Sequence, residues 1–488
     1  MPEQFTNITG DDATKAGGRT QAAEGDPRVA PTRGEGRERV YLNQSSTLLS
    51  RAPRRAILVG VNMPGTDWPV EESLDELEQL ATTAGVVCVD RVTQKLARAH
   101  SGTLLGSGKV QEIAELVRFH DCDGVIFDLE LTPGQHRTLE REMETQVLDR
   151  TALILIIFGQ RAHTKEGRLQ VELAQIDYDL PRLARQWSHL SRQKGSVQQR
   201  GEGEKQIEVD RRMLKRDKEQ LQEELEHVRS QRQLHRDRRK DVGAPVVALV
   251  GYTNAGKSTL LNRLASANSL VEDKLFATLD PMTRRVRLTG GQEFLLTDTV
   301  GFVQRLPTVL VVAFRATLEE VTEADLLVHV VDASSPHMLK QIKAVEQVLE
   351  EIGAGGRPMV VALNKVDRLS SDITQLTGIA AELPTVRVSA LNGTGLDELL
   401  RCISDNLMLQ FVALDVLIPY ERGELVAQFH QYGTIEVESF EANGTHIRGH
   451  MPNNRSGPLL AFQQIPTTRH GMSMSSPPET ERDKSGTR

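Results

Sequence analysis

The sequence predicts an α/β protein with an N-terminal α/β domain, an antiparallel pair of helices, a second α/β domain and a small α+β domain. Apolar runs alternate with helical patterns from Arg55 onward, residues 160–240 show no strand pattern, and the alternation resumes after Pro245. Because strands that alternate with helices form parallel sheets, two separate sheets are expected. The predicted domains are 53–160, 161–242, 243–409 and 410–466, and the polar flanks 1–52 and 467–488 are expected to be disordered.

The N-terminal domain is predicted from a repeated strand–helix pattern. Apolar runs predict strands at 56–61, 86–92 and 124–130, and helical patterns follow each of them. The third helix is expected to begin near Pro133, since proline is favoured in the first turn of a helix. The apolar run from Ala152 to Phe158 predicts a further, buried strand.

The predicted helical pair has an apolar stripe on its second helix. Apolar residues recur there at intervals of seven, at Ile207, Leu214, Leu221 and Val228. A first helical segment is expected to break near Pro181, and the polar stretch 194–204 is expected to be a loop. The stripe is therefore expected to form the seam between two antiparallel helices. Homodimerisation through the stripe is a weaker alternative, and a monomer is expected.

The second α/β domain and the C-terminal domain follow from the same patterns. Five apolar runs predict strands at 246–252, 293–299, 326–333, 359–365 and 385–390. In the C-terminal domain, residues 425–431 predict a helix, and Asn443-Gly444 predicts the turn of a hairpin.

Composition and charge exclude several classes of protein. Cys88, Cys122 and Cys402 are far apart and form no CxxC pair, which argues against a disulfide framework or a zinc site and favours a cytoplasmic protein. No apolar run approaches the roughly 18 residues of a membrane helix, and the N-terminus lacks the apolar core of a secretory signal. Residues 181–240 hold 17 Lys and Arg against 10 Asp and Glu, although the whole chain has a net charge of −8. This basic arm predicts docking on a polyanion, or simply a solvated helical face.

The strongest motif is a phosphate-binding loop of the form GxxxxGK followed by Ser or Thr. It stands directly after a predicted strand and before a predicted helix, which is the context that confirms it. Its glycines let backbone N–H groups surround phosphates, Lys257 reaches the β- and γ-phosphates, and Ser258 binds Mg²⁺. The motif comprises Gly251, Tyr252, Thr253, Asn254, Ala255, Gly256, Lys257 and Ser258.

Three later segments predict that the nucleotide is GTP. Asp298 can hold Mg²⁺ directly or through water, and the N–H of Gly301 can meet the γ-phosphate. Asp367 can accept two hydrogen bonds from guanine, whereas adenine offers an acceptor at that position. The segments are Asp298-Thr299-Val300-Gly301, Asn364-Lys365-Val366-Asp367 and Ser389-Ala390-Leu391, of which the last closes over the base. In this order they predict a Mg²⁺-dependent protein that binds and hydrolyses GTP.

A further nucleotide-binding segment is expected between the phosphate loop and Asp298, at Phe276, Ala277, Thr278, Leu279 and Asp280. A GTPase needs one threonine here that closes over Mg²⁺ and the γ-phosphate. Spacing alone does not choose between Thr278 and Thr283.

The catalytic residue is not identified, because Phe302 follows Asp298-Thr299-Val300-Gly301 at the position where Ras-like GTPases carry a glutamine that orients the attacking water. Phenylalanine cannot donate or accept this hydrogen bond. Slow hydrolysis is therefore expected until another group or a partner positions the water.

An upstream segment, Gly102 to Val110, resembles a phosphate loop only superficially. It has one residue too many before its Gly-Lys pair, and Val110 replaces the hydroxyl residue that would hold Mg²⁺. A turn before a helix is the favoured interpretation, and a second nucleotide site is the alternative.

The chain resembles the HflX family of ribosome-associated GTPases. The resemblance spans about residues 55–462 and rests on long blocks, including GYTNAGKSTLLN, LFATLDP, DTVGFVQRLP, GEKQIEVDRR and DRTALILIIFGQRAHTKEGRLQVELAQ. It implies that Thr278 joins Ser258 as a Mg²⁺ ligand. It also implies binding to the large (50S) ribosomal subunit in ribosome splitting, rescue, translation or biogenesis, with no DNA partner and at most peripheral membrane association. The RNA-contact candidates are Arg200, Lys205, Arg211, Arg212, Lys215 and Arg216.

The sequence departs from the family pattern at two places. The loop 194–204 lacks the family's usual glycine and proline positions and gains Glu202, and the segment after Pro307 carries Thr308 and Val312 where the family has histidine and an acidic residue. These changes support an alternative function, a slowly hydrolysing, GTP-dependent regulatory protein with a protein partner.

Overall fold

The structure is a computed structural model. It describes residues 52–65, 68–183, 200–241, 244–265, 275–276, 278–288, 293–304, 307, 310, 315–369, 383–408 and 411–464. The expectations for the two flanks, for 184–199, and for Ala277, Thr308 and Val312 lie outside these residues. In the described parts, no helix has both the length and the apolar character needed to cross a membrane.

The N-terminal domain contains a parallel sheet of four strands in the order β2-β1-β3-β4. Its strands are β1 (Arg55–Asn62), β2 (Val87–Lys95), β3 (Gly124–Phe127) and β4 (Gln146–Asp149). Its helices are α1 (Val70–Thr83), α2 (Ser107–Phe119), α3 (Pro133–Met143) and α4 (Arg150–Arg161). Strand residues alternate between two apolar clusters, with Leu58 in one and Ile57 in the other, so both faces of the sheet are covered.

The predicted strand over Ala152 to Phe158 is wrong, because these residues belong to helix α4. The strand of this region is the shorter β4, and it ends at Asp149, whose Oδ1 accepts a hydrogen bond from the N–H of Ala152 at 2.9 Å and caps the helix. Residues 150–158 are all buried. A helix that is apolar on every side has no periodicity to distinguish it from a buried strand.

The helical pair consists of α5 (Lys165–Leu183) and α6 (Arg200–Asp241), and the two helices are antiparallel. The ammonium of Lys218 pairs with Asp177 at 2.5 Å, whereas Arg232, further along α6, pairs with Glu166 at the start of α5 at 3.1 Å. Leu214 and Leu221 are buried against Leu173 and its neighbours on α5, which confirms the predicted seam.

Two details of the pair differ from expectation. Helix α5 continues through Pro181 to Leu183 rather than breaking at the proline, and the buried Arg182 donates to Leu131 O at 2.9 Å and to Asp149 at 3.2 Å. These contacts hold the last turn of α5 against the N-terminal domain. The predicted loop 194–204 is helical from Arg200 onward, because α6 begins there.

The second α/β domain contains a sheet of six strands in the order β10-β9-β8-β5-β7-β6. The predicted strands are confirmed as β5 (Val246–Val250), β7 (Glu293–Asp298), β8 (Leu326–Asp332), β9 (Met359–Asn364) and β10 (Thr385–Arg387). The sixth strand, β6 (Met282–Arg287), pairs antiparallel with β7 at the edge of the sheet. Sequence patterns missed it because its residues are mostly polar. The helices are α7 (Lys257–Leu264), α8 (Arg315–Thr322), α9 (Met338–Glu351) and α10 (Leu396–Met408).

The C-terminal domain is a three-stranded antiparallel sheet in the order β11-β13-β12. Its elements are β11 (Phe411–Ile418), α11 (Gly423–Tyr432), β12 (Thr434–Glu441), β13 (Gly444–Pro452) and α12 (Asn453–Leu460). The predicted helix and the hairpin around Asn443-Gly444 are confirmed.

Candidate nucleotide site

The phosphate loop joins β5 to α7, as the motif predicts. Gly256 has a φ of 97°, and Gly251 has a φ of 153°. A Cβ atom on Gly251 would collide with Val330 O, and one on Gly256 would collide with the side-chain amide of Asn364. Both positions therefore require glycine, and α7 begins immediately afterwards with its N–H groups facing the loop.

The side chain of Lys257 is buried within the loop. Its ammonium donates to Gly251 O at 3.0 Å and to Tyr252 O at 2.9 Å. Burial lowers the pKa of Lys257 to about 8, and the nearby carboxylate of Asp298 opposes this shift. A phosphate at this position would favour the charged form of the lysine, because it adds negative charge in a low-dielectric site.

Three oxygen-bearing side chains converge beside the loop. Ser258 Oγ lies 2.8 Å from Thr278 Oγ1 and donates to Asp298 Oδ2 at 2.6 Å, and Thr278 Oγ1 lies 2.9 Å from the same carboxylate oxygen. Thr283 is elsewhere, on β6, where its hydroxyl lies 3.0 Å from that of Thr297. The geometry thus places Thr278, rather than Thr283, beside Ser258.

The chemistry of this cluster fits a magnesium ion. Asp298 is fully buried, and its Oδ1 atom has no hydrogen-bond partner among the residues that the structure describes. Burial raises the pKa of Asp298, although Lys257 and the two hydroxyls lower it. Two hydroxyls and one carboxylate suit a cation that takes oxygen ligands and keeps phosphate oxygens and water as the others. Among the described residues there is no cluster of three or more His, Cys, Asp or Glu side chains that could hold a metal without phosphate.

The predicted base-binding segments also come together. The side-chain amide of Asn364 donates to Ala255 O at 2.8 Å and accepts from the N–H of Ala390 at 3.0 Å. It therefore connects the phosphate loop to the segment 389–391. Asp367 is exposed, and its carboxylate accepts a hydrogen bond from the hydroxyl of Ser389.

Two further residues complete the predicted base site. Lys365 has a φ of 64° and pairs with Asp332 at 2.7 Å. The side chain of Leu391 is 72% exposed. The exposed carboxylate of Asp367 and the exposed Leu391 are thus both accessible to a planar base.

The segment after Asp298 lies against the phosphate loop. A Cβ atom on Gly301 would lie 2.8 Å from Thr253 Cγ2 and 3.1 Å from Lys257 Nζ, so the backbone approaches the loop as closely as glycine allows. The N–H of Phe302 donates to Gly251 O at 3.1 Å, and the N–H of Thr253 donates to Phe302 O at 2.7 Å. The ring of Phe302 is 1% exposed and packs in the apolar core. Phe302 therefore contributes no side-chain group that could orient a water molecule.

The expected segment 276–280 divides between two surroundings. Thr278 joins the cluster with Ser258, but the carboxylate of Asp280 accepts from the N–H groups of His163 at 3.1 Å and Thr164 at 2.9 Å. Phe276 packs edge-to-face on Phe158 of α4, with ring centroids 4.7 Å apart. Phe158 of the N-terminal domain and the residues directly before α5 therefore hold this segment, while Thr278 reaches the phosphate loop.

Sequence reasoning missed a buried polar ring that joins the N-terminal domain to the phosphate loop. Its members are Tyr252, Glu76, Arg150, Asp128, Ser73 and Gln304, all of them buried.

The ring closes through specific hydrogen bonds and ion pairs. The hydroxyl of Tyr252 donates to Glu76 and accepts from the N–H of Gln304 at 2.7 Å, and Arg150 pairs with Glu76. Arg150 also pairs with Asp128 at 2.9 Å.

Ser73 closes the ring, since its hydroxyl donates to Asp128 at 2.6 Å and lies 3.2 Å from the side-chain amide oxygen of Gln304. No local motif reveals the ring, because its members come from five separate segments.

The remaining candidate residues lie apart from this site. In the segment 102–110, the N–H of Gly106 donates to Gln94 at 3.2 Å, and Lys109 pairs with Glu112 at 2.8 Å at the start of α2. Four of the RNA-contact candidates on α6 are exposed, and they are Arg211, Arg212, Lys215 and Arg216. The side chains of Arg200 and Lys205 lie outside the described part of the chain.

Comparisons with protein families match three successive regions. Residues 71–159 match the family described as GTP-binding GTPase N-terminal, and residues 161–239 match GTP-binding GTPase Middle Region. Residues 246–365 match the family described as 50S ribosome-binding GTPase. The first match lies within the N-terminal domain, and the second covers most of the helical pair.

Individual proteins resemble most of the chain. A GTPase HflX of Lacrimispora saccharolytica is 44% identical over 405 residues, covering 83% of this chain and 95% of that protein. A GTPase HflX of Escherichia coli is 44% identical over 375 residues, covering 77% of this chain and 88% of that protein. A solved GTP-binding protein of Sulfolobus solfataricus in complex with GDP is 24% identical with a TM-score of 0.41, covering 73% of this chain and 99% of that one.

Proposed function

Since this chain belongs to the HflX family and is a GTP hydrolase, we propose that it binds GTP with Mg²⁺ and acts on the large (50S) ribosomal subunit. The ribosomal step would be splitting, rescue, translation or biogenesis, in the cytoplasm. The observation that supports the proposal most is the basic face of α6, formed by the exposed side chains of Arg211, Arg212, Lys215 and Arg216. The same chain carries a GTPase domain whose family is described as 50S ribosome-binding GTPase. Ribosomal RNA is the polyanion that such a face would contact.

The proposed roles follow from the geometry. The N–H groups of the phosphate loop and the ammonium of Lys257 hold the phosphates, and Asp367 selects guanine while Asn364 and the segment 389–391 support it. Ser258 and Thr278 are the proposed Mg²⁺ ligands, with Asp298 in contact with both. Mg²⁺ neutralises charge that develops on the phosphates. The N–H of Gly301 is proposed to contact the γ-phosphate, since Gly301 lies against Thr253 and Lys257.

Hydrolysis by the isolated protein is expected to be slow, because Phe302 is buried in the core and cannot orient water. In purified form the protein should turn GTP over slowly, and addition of 50S subunits should accelerate it. Single-turnover hydrolysis that is already as fast without ribosomes would contradict this expectation.

Co-sedimentation with separated ribosomal subunits tests the proposed partner. We expect the protein to sediment with 50S subunits more strongly with a non-hydrolysable GTP analogue than with GDP, while GTP hydrolysis is followed in parallel tubes. Nucleotide binding without any sedimentation would exclude the ribosomal partner and favour a different one. Equal sedimentation with both nucleotides would exclude a switch between two affinities.

The basic face of α6 gives a further prediction. Reversing the charges of Arg211 and Arg212, or of Lys215 and Arg216, is expected to weaken 50S binding and to reduce its dependence on salt, because each lost phosphate contact lowers the salt slope by about 1. A matched control reverses Arg401 in α10 and Arg422 after β11, which are also exposed. If the α6 variants bound 50S subunits as strongly as the control variant and the natural protein, α6 would lie outside the interface.

A further inference from the structure

Asp280 makes an unusual contact for a residue two positions after Thr278. Its carboxylate accepts hydrogen bonds from the N–H groups of His163 and Thr164 and from the Thr164 hydroxyl. These residues immediately precede α5, which begins at Lys165. Asp280 thus lies at the N-terminus of the first helix of the helical pair, although 116 residues separate it from Thr164 in sequence.

The contact supports a helix cap from another domain, because it holds Thr164, the residue directly before α5. The first N–H groups of a helix lack partners within the helix, and a carboxylate at this end also interacts favourably with the helix dipole. The Thr164 hydroxyl accepts from the N–H of Gly167 at 3.0 Å while it donates to Asp280. A Cβ atom on Gly167 would collide with Asp280 Oδ1, so the carboxylate of Asp280 lies as close to the backbone of Gly167 as glycine permits.

The same short segment carries the proposed Mg²⁺ ligand. Thr278 lies 2.8 Å from Ser258 Oγ while Asp280 contacts Thr164, so both contacts occur in one conformation. Leu279, between them, is 3% exposed and packs in the apolar core of the N-terminal domain. Phe276 is held on Phe158 in the same cluster. The segment therefore has little freedom to move Thr278 without moving Asp280.

We infer that Asp280 is a positioning residue that couples Thr278 to the start of α5. The inference rests on the proposed Mg²⁺-GTP site. In the conformation in which Thr278 closes on Ser258, Asp280 holds Thr164, whose hydroxyl caps α5 at Gly167, and release of Thr278 removes this contact. The nucleotide state is thereby transmitted to the helical pair that carries the basic face. By linkage, whatever stabilises the start of α5 also favours GTP over GDP.

Thr164 allows the coupling to be tested without altering the nucleotide site. Thr164→Val removes the hydroxyl and keeps the shape of the side chain, whereas Thr164→Ser keeps the hydroxyl. A matched control is Thr132→Val, since Thr132 caps α3 with its hydroxyl in the same way and belongs to a capping box with Gln135. Neither Thr132 nor Gln135 contacts the segment 278–280 in the hydrogen bonds described for them.

The affinities of fluorescent GDP and of a fluorescent, non-hydrolysable GTP analogue are measured with Mg²⁺ for each variant. We expect Thr164→Val to weaken binding of the analogue by about 5-fold or more, with GDP binding changed less than about 2-fold. Thr164→Ser should restore the affinity for the analogue, and Thr132→Val should leave the ratio of the two affinities unchanged.

Hydrogen exchange of the amides at 163–168 gives an independent measurement. In the natural protein, these amides should exchange more slowly with the analogue than with GDP, and this difference should disappear in Thr164→Val. Equal losses of affinity for both nucleotides, or the same result from Thr132→Val, would overturn the coupling. Neither outcome would contradict the proposal that the natural protein binds GTP. Failure of the natural protein to bind either nucleotide would overturn the proposed function and the coupling together.

Discussion

Asp298→Asn is expected to raise the Mg²⁺ concentration required for half-maximal GTP hydrolysis by about 10- to 100-fold, the range typical of changes beside a metal. The carboxylate contacts the hydroxyls of Ser258 and Thr278, and its second oxygen is buried with no hydrogen-bond partner in the described part of the chain. The amide removes the negative charge that a cation at this position would need. Hydrolysis is measured across a Mg²⁺ titration at saturating GTP.

Thr283→Val is the matched control for this titration. Thr283 is the other threonine of the same region, and its hydroxyl lies beside Thr297 rather than beside Ser258. Its replacement should leave the Mg²⁺ dependence unchanged, whereas Thr278→Val should shift it in the same direction as Asp298→Asn. The assignment of Thr278 would be wrong if the two threonine variants exchanged these results.

Arg150→Met is expected to lower the free energy of unfolding by about 3–5 kcal/mol, because it leaves two buried carboxylates without their cation. Arg150 pairs with both Glu76 and Asp128, and all three side chains are buried. Arg91→Met is a close control, since Arg91 also pairs with two carboxylates, those of Asp75 and Glu78, but its side chain is 36% exposed. Exposed ion pairs contribute about 0–1 kcal/mol.

Urea unfolding followed by circular dichroism measures both changes. If Arg150→Met does not fold, Arg150→Lys retains the positive charge with fewer donors and should show a smaller loss than Arg150→Met in the same assay. Equal losses for Arg150→Met and Arg91→Met would show that burial of the ring contributes little to stability.

The nucleotide site could be predicted from the sequence because its chemistry is local. The strand, glycine loop and helix around Lys257 are contiguous, and a strand end brings Asp298 beside them in any sheet of this order. The choice between Thr278 and Thr283 could not be predicted from spacing, because the spacing permits both. It depends on β6, a strand whose polar residues give no apolar pattern.

Interactions between the domains could not be predicted in this way. Helix α4 has the sequence pattern of a buried strand, because its residues are buried on every side, against α1 and the sheet as well as against Phe276. The contact of Asp280 with Thr164 depends on which helix end lies opposite the segment 278–280, and no property of Asp280 alone determines this. Pairing between distant polar residues requires the packed domains, which the periodicity of single elements does not describe.

The polar ring also has a consequence for synthesis of the chain on the ribosome. Glu76 and Tyr252 are 176 residues apart, so at about 5–20 residues per second the tyrosine is made roughly 9–35 s after the glutamate. Arg150 is made earlier and can pair with both Glu76 and Asp128 within the N-terminal domain alone. The nascent N-terminal domain can thus form its buried ion pairs before the phosphate loop exists. The later residues, Tyr252 and Gln304, then add hydrogen bonds to ion pairs that have already formed.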